Sequence, residues 1–130
     1  MAFARNDGFA IHYEVQGDGP ALVLHHGFSG SHMRWVWAGY VDALRERYRL
    51  ILIDARGHGR SDKPHDPTAY SLQAQAADVA AVLDDLGLAR AHYWGFSMGG
   101  RIAFALADSQ RHRVRTLVIG AAHPYARTLR

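Results

Sequence analysis

A serine flanked by two glycines is the feature of this 130-residue sequence that most directly indicates chemistry. The segment Gly95-Phe96-Ser97-Met98-Gly99 ends an apolar run and opens a helix-like stretch. A serine held on a sharp strand-to-helix turn presents its hydroxyl clear of the sheet, where it can attack a carbonyl carbon. Such a turn crowds the positions two residues to either side, and glycine has no Cβ to clash there. We therefore predict that Ser97 is a nucleophile; the alternative interpretation is a glycine-rich start of an ordinary helix.

Two further segments place glycine-rich chain directly after short apolar runs. Residues 21–24 lead into His25-His26-Gly27-Phe28, and residues 50–53 lead into the polar loop 54–61. Continuous apolar runs are typical of strands covered on both faces, and their alternation with helix-like sequence indicates an α/β fold. Asn6-Asp7-Gly8 lies between two strand-like runs at the N-terminus and predicts a hairpin. The predicted fold is therefore a mostly parallel sheet with an antiparallel N-terminal hairpin and helices on both faces.

In this order and at these strand ends, the three segments resemble the motifs of the α/β-hydrolase fold family. His26-Gly27-Phe28 is similar to the family's oxyanion loop, residues 54–61 to its Asp-x-Arg-Gly-x-Gly-x-Ser signature, and residues 95–99 to its nucleophile elbow. The resemblance implies that the backbone N–H groups of Phe28 and Met98 stabilise an oxyanion, with Gly27 letting the main chain approach the substrate. It covers about the first half of a typical member. We therefore expect residues 1–130 to form the N-terminal half of an α/β-hydrolase-like domain, a truncated form of the fold.

The family's catalytic order is serine, then acid, then histidine, and this resemblance leaves the base as the open question. His123 follows the predicted strand 114–119, which should neighbour the elbow strand, so His123 is our predicted substitute base. The alternative is an ordinary loop histidine. A serine hydrolase without its base loses about a millionfold in turnover. The predicted function is hydrolysis of carboxylic esters or related acyl compounds through an acyl-enzyme on Ser97, incomplete in this chain alone. The alternative is a catalytically silent ligand-binding or interaction module.

The amino-acid composition bears on the expected partners, location and cofactors. The chain has no cysteine, and its net charge of +3 comes from fourteen scattered arginines and one lysine, without the basic stripe that nucleic acid requires. Neither a membrane-length apolar run nor a signal-peptide centre is present, so we expect a cytoplasmic protein without a membrane partner. No cofactor motif or metal-ligand spacing stands out, and none is predicted. We expect the Asp54 side chain to lock loops together; the alternative is that the polar residues of this loop act as acid, base or metal ligands.

The expected partners are a small ester-like substrate and a second copy of the chain. Residues 116–119 should form the last strand of the sheet, and an apolar sheet edge without a neighbour pairs readily with another chain. We therefore predict a homo-oligomer, with sheet edges joined or elements exchanged between copies; a fragment of a longer protein is an equally consistent interpretation. The sequence does not indicate which ester is the substrate.

Overall fold

The computed structural model describes residues 2–122, which form one six-stranded sheet with helices on both faces. The strands are β1 (Ala2–Asn6), β2 (Phe9–Gln16), β3 (Ala21–His25), β4 (Arg49–Ile53), β5 (Ala91–Phe96) and β6 (Val114–Gly120). Their order in the sheet is β1-β2-β4-β3-β5-β6. The pairs β1/β2 and β2/β4 are antiparallel, whereas β4/β3, β3/β5 and β5/β6 are parallel. The predicted fold class is confirmed.

The N-terminal hairpin forms at the predicted turn. Asp7 and Gly8 connect β1 to β2 and have φ angles of 50° and 81°. Two consecutive positive φ angles match the tight two-residue turn whose twist suits a hairpin, and Asp-Gly adopts them at low cost. The hairpin continues the sheet on one side because β2 also pairs with β4.

Four helices cover the sheet: α1 (Met33–Trp37), α2 (Tyr40–Leu44), α3 (Leu72–Asp85) and α4 (Met98–Ser109). Trp35 of α1 and Val41 of α2 pack on one face against leucines of β3 and β4. The apolar sides of α3 and α4 pack on the other face, against β1, β2, β3 and β5. Short 3₁₀ turns occupy Pro67–Tyr70 and Arg111–Arg113. No helix in the described part of the chain is long and apolar enough to cross a membrane.

The ends of α3 show how local sequence sets the length of a helix. Ser71 caps its first turn, because the Ser71 hydroxyl accepts a 3.1 Å hydrogen bond from the Ala74 N–H. Gly87 follows the last turn with φ 69°, the left-handed conformation that ends many helices. The 3₁₀ turn before α3 begins at Pro67, where the Asp66 carboxylate accepts a hydrogen bond from the Thr68 N–H.

The strand order opens a crevice beside β3. From β3 the chain returns to the sheet at β4 on one side, and β5 later joins on the other side. The helices that follow β3 cover one face, while α4, which follows β5, covers the opposite face. The loops leaving β3 and β5 therefore diverge, which is the arrangement that places ligand sites at the carboxyl ends of strands. His25 pairs with Gly95, so both loops begin at the same level.

Candidate active site

Ser97 occupies the junction between β5 and α4 in a strained backbone conformation. Its φ and ψ are 50° and −111°, a combination that a residue with a Cβ rarely adopts. Two backbone hydrogen bonds hold it there: Ser97 N–H donates to the Gly120 carbonyl at 2.7 Å, and Arg101 N–H donates to the Ser97 carbonyl at 3.0 Å. The sharp strand-to-helix turn expected from the sequence is therefore present at this serine, between a strand ending at Phe96 and a helix beginning at Met98.

The two glycines of the motif fit where a side chain would not. A Cβ built on Gly95 would lie 2.6 Å from the Gly100 nitrogen, and one on Gly99 would lie 2.2 Å from the His25 carbonyl oxygen. Both contacts are with backbone, which cannot move aside without shifting β3 or α4. The glycines therefore let β5, α4 and the end of β3 meet closely enough to form the turn.

The loop after β3 lies directly against Ser97. A Cβ on Gly27 would be only 3.4 Å from the Ser97 Cβ and 3.2 Å from the Phe96 ring. Phe28, the next residue, has a side chain that is 78% exposed. Within residues 2–122, neither the Phe28 N–H nor the Met98 N–H donates a hydrogen bond. Two unused amide donors thus flank the serine, on the two residues that the family resemblance assigns to an oxyanion hole.

His26 fixes the start of this loop and is held as a neutral ring. Its Nε2 accepts a 3.0 Å hydrogen bond from the Ala55 N–H, and its Nδ1–H donates to the Gly27 carbonyl at 2.7 Å. Burial lowers the pKa of His26, with the neighbouring His58 acting in the same direction. Both ring nitrogens are engaged, so His26 positions the loop and has no free lone pair for proton transfer.

His58 holds the far side of the same loop. Its Nε2 accepts the Ser29 N–H at 3.0 Å, and its Nδ1–H donates to the Arg56 carbonyl at 3.1 Å. Its ring also packs edge-on against Phe28. The glycine-rich loop after β4 therefore positions the loop after β3, on which one of the two amide donors lies.

His25 lies beneath the elbow, fully buried on the face of the sheet covered by α4. Its Nδ1 contacts the Tyr93 hydroxyl, which also donates to the Gly99 carbonyl at 3.1 Å. Burial lowers the pKa of His25 to about 3. The ring is thus neutral, and it connects β3, β5 and the first turn of α4.

Asp54, directly after β4, joins the surrounding loops through hydrogen bonds to its carboxylate. It accepts hydrogen bonds from the His32 N–H at 2.7 Å and the Arg60 N–H at 3.1 Å. The ring Nδ1 atoms of His12 and His32 lie 2.7 and 2.9 Å from its two carboxylate oxygens. Burial opposes ionisation, but these donors outweigh it and hold the pKa of Asp54 at about 2. Asp54 links loops, as we expected from the sequence.

The cluster of Asp54 with His12 and His32 was not foreseen from the sequence. Among the described residues, these three side chains form a group that could hold a metal ion, because one ligand atom from each lies within 4.8 Å of the other two. They come from β2, from the residue preceding α1 and from the end of β4, so no local spacing joins them. The pairing of β2 with β4 brings His12 to Asp54, and the loop after β3 brings His32 to the same carboxylate.

Clefts lie on both sides of the serine turn. One, of about 190 Å³, is lined by Gly27, Trp35, Tyr40, Trp94 and Phe96, among others. The second, about 570 Å³ and more open, is lined by Phe28, Gly57, His58, Tyr70 and Met98, among others. Ser97 itself lines neither cleft, but Gly27 and Phe96 line the first, and Phe28 and Met98 line the second, so both clefts adjoin the two segments that meet at the serine.

The remaining predicted site residue is not placed. His123 lies outside the described residues, so its role as substitute base stays a prediction. Among residues 2–122, no side chain forms a hydrogen bond with the Ser97 hydroxyl. The described part of the chain thus supplies the serine and two amide donors, and no base in contact with that serine.

A family model described as alpha/beta hydrolase fold matches residues 20–129. A pimeloyl-(acyl-carrier protein) methyl ester esterase of Aeromonas hydrophila subsp. hydrophila is 38% identical over 115 residues, covering 88% of this chain and 42% of the relative. Epoxide hydrolase 4 of Mus musculus is 30% identical over 123 residues, covering 92% of this chain and 34% of the relative.

Comparison with solved structures also finds similarity over most of this chain. Est816, described as an N-acyl homoserine lactone degrading enzyme, has a TM-score of 0.81 at 40% identity, with 91% of this chain and 44% of the other covered. The chain spans less than half the length of the curated relatives it matches. The similarity therefore extends over almost all of this sequence but over only part of each relative.

Proposed function

The chain belongs to the alpha/beta hydrolase fold family, and from this premise we propose that it contributes the nucleophile and oxyanion hole of a serine hydrolase acting on carboxylic esters or related acyl compounds. The observation that carries the proposal is the backbone of Ser97, strained at φ 50° between β5 and α4 with Gly27 packed against its Cβ. Strained conformations persist where surrounding structure imposes them, and they cluster at active sites.

The reaction that fits this geometry is acyl transfer in two halves. The Ser97 hydroxyl oxygen attacks the carbonyl carbon while its proton passes to a base, and the carbonyl oxygen becomes an oxyanion. The unused N–H groups of Phe28 and Met98 are the proposed donors to that oxyanion, and the N-terminus of α4 adds a favourable dipole. Collapse expels the alcohol, which takes a proton, and leaves an acyl group on Ser97 that water then removes.

The two clefts support an ester or related acyl compound as the substrate class. The carbonyl carbon of an ester carries an acyl group on one side and an alcohol group on the other. Trp35, Tyr40 and Trp94 give the smaller cleft an aromatic wall suited to an apolar group. The relative from Aeromonas hydrophila is named as a methyl ester esterase, and Est816 as a lactone-degrading enzyme; both names describe acyl compounds. A serine at this position does not favour the aspartate-dependent chemistry of epoxide opening.

One observation favours the silent-module alternative. No described side chain accepts a hydrogen bond from the Ser97 hydroxyl, and a serine without a base is a poor nucleophile. On this hypothesis the clefts bind an acyl compound without cleaving it. The two hypotheses differ in whether Ser97 forms a covalent adduct.

A fluorophosphonate probe separates them, because it labels an activated serine covalently. We expect labelling of the wild-type chain, loss of labelling in Ser97→Ala, and retention in Ser109→Ala, since Ser109 is an exposed serine at the end of α4. Labelling lost in folded His123→Ala supports the predicted base. Far-UV circular dichroism checks that each variant folds.

Equal background labelling in the wild type, Ser97→Ala and Ser109→Ala contradicts an activated Ser97 in these 130 residues alone and supports the silent module. Hydrolysis of p-nitrophenyl acetate is a weaker readout, because nine histidines give a background of imidazole-catalysed cleavage. It is therefore interpreted only as the difference between the wild type and Ser97→Ala.

A further inference from the structure

A cluster of two histidines and two carboxylates lies on the α1 side of the sheet and takes no part in the proposed hydrolysis. His12, His32 and Asp54 are all buried, and Glu14 stands beside them on β2 with its side chain 35% exposed. A ring nitrogen of each histidine and a carboxylate oxygen of Asp54 lie within 4.8 Å of one another. Imidazole and carboxylate are the donor set that zinc-like divalent ions prefer alongside thiolate.

The carboxylate of Asp54 faces the inner nitrogens of both rings. Its Oδ2 is 2.7 Å from His12 Nδ1, and its Oδ1 is 2.9 Å from His32 Nδ1. Zinc bonds to nitrogen and oxygen are about 2.0–2.2 Å long, which separates neighbouring ligand atoms by about 3.3 Å in a tetrahedral site. The observed separations are only a few tenths of an ångström shorter, so small side-chain shifts would admit an ion.

Glu14 faces the outer nitrogens of the same two rings. Its carboxylate oxygens lie 3.5 Å from His12 Nε2 and 3.7 Å from His32 Nε2. These separations are too long for good hydrogen bonds, and His12 Nε2 is buried without a hydrogen-bond partner among the described residues. A ligating histidine usually gives its second N–H to a carboxylate, which fixes the ring. Each ring of the cluster already has a carboxylate at both ends.

The charges of the cluster also favour a cation. The cluster contains two acidic side chains, so negative charge is concentrated where Asp54 is buried and Glu14 is partly exposed. A divalent ion would neutralise that charge, and burying uncompensated charge is costly. An ion bound at Nδ1 leaves the ring N–H on Nε2, which faces the Glu14 carboxylate in both histidines.

From these observations we propose that His12, His32 and Asp54 form a structural site for a zinc-like divalent ion, with Glu14 accepting the outer ring N–H groups. Asp54 supplies one or both oxygens, and each histidine supplies Nδ1. The ion would tie β2 to the residue before α1 and to the end of β4. It would therefore anchor the loop 26–32, which carries Phe28 beside the serine, without touching the serine itself.

Zinc binding to the full chain tests the site independently of hydrolysis. After treatment with EDTA, we titrate Zn²⁺ by calorimetry at pH 7.5 and expect one ion per chain with micromolar or tighter affinity. His32→Gln should weaken this binding at least tenfold, and so should His12→Gln. The matched controls are His65→Gln and His92→Gln, which change histidines distant in the sequence from the cluster and should leave the affinity unchanged. Co²⁺ in place of zinc should give the visible absorption of a tetrahedral N/O site.

His12 is fully buried, so His12→Gln could fail to fold, and the His32 ring at 8% exposure is the safer position. X-ray absorption of the zinc-loaded wild type gives a second measure, and two imidazole ligands with carboxylate oxygen are expected. No binding by the wild type overturns the proposal. So does binding that His32→Gln leaves unchanged, because the ion then sits on other histidines.

Discussion

The strain at Ser97 can be measured without any catalytic activity, by comparing Ser97→Gly with Ser97→Ala. Both variants remove the hydroxyl, so its contacts cancel in the comparison, and they differ only in the Cβ. A residue with a Cβ at φ 50° and ψ −111° is strained by about 1–3 kcal/mol. Glycine relieves that strain, but it adds about 0.5–1 kcal/mol of conformational entropy to the unfolded chain. We therefore expect Ser97→Gly to be more stable than Ser97→Ala by about 1 kcal/mol.

Urea unfolding followed by far-UV circular dichroism at pH 7.5 gives the two free energies of unfolding. For a chain of this size, 1 kcal/mol corresponds to a change in melting temperature of about 3–5 °C, which thermal unfolding also resolves. The matched control is Ser109, the last residue of α4. Inside a helix glycine is about 1 kcal/mol less stable than alanine, and the difference is smaller at a helix end, so Ser109→Gly should not be more stable than Ser109→Ala.

The test compares the stability difference between the glycine and alanine variants at position 97 with the same difference at position 109. If Ser97→Gly is less stable than Ser97→Ala, as at position 109, the backbone of Ser97 is unstrained. The elbow, and with it the main support for the nucleophile, would then be wrong. Unequal folding cooperativity between the two variants would show in their urea slopes and is checked first.

Three other predictions concern the surroundings of the serine and the sheet edge. Gly99→Ala should lower the free energy of unfolding by about 2–4 kcal/mol and abolish probe labelling, because its Cβ would lie 2.2 Å from a carbonyl oxygen of β3. Gly100→Ala should lose less, because its Cβ would meet two side chains at 3.0 Å and the nearest backbone atom outside α4 only at 3.4 Å; equal losses would contradict the backbone clash. His25 has a pKa of about 3 when folded and 6.5 when unfolded, so its contribution is complete above pH 6.5 and is lost as the pH falls toward 3. Wild type should therefore lose about 2 kcal/mol more than His25→Phe between pH 7.5 and 5.0 in urea unfolding, and equal losses would show that this ring is not held neutral. The predicted homo-oligomer should appear in light scattering as a multiple of 14.4 kDa. Val118 is 47% exposed on the outer strand β6, so Val118→Lys should shift the oligomer toward monomer. A monomeric wild type would contradict the prediction.

The sequence alone determined the elements and the candidate nucleophile, because both depend on local patterns. Continuous apolar runs marked β3, β4 and β5, Ser71 and Gly87 marked the ends of α3, and the glycines around Ser97 marked the turn. Each of these signals acts within a few residues. Gly95, for example, is required by the turn itself, because its Cβ would lie 2.6 Å from the Gly100 nitrogen.

The tertiary structure alone decided which distant side chains meet. Gly99 is needed because of the His25 carbonyl on a neighbouring strand, and His58 acts on Ser29 across two loops. The grouping of His12 with Asp54 follows from the antiparallel pairing of β2 with β4. Strand order and register set these contacts, and they arise from packing over the whole sheet. No spacing along the chain encodes them, so a reader of the sequence sees separate histidines where the folded chain has one cluster.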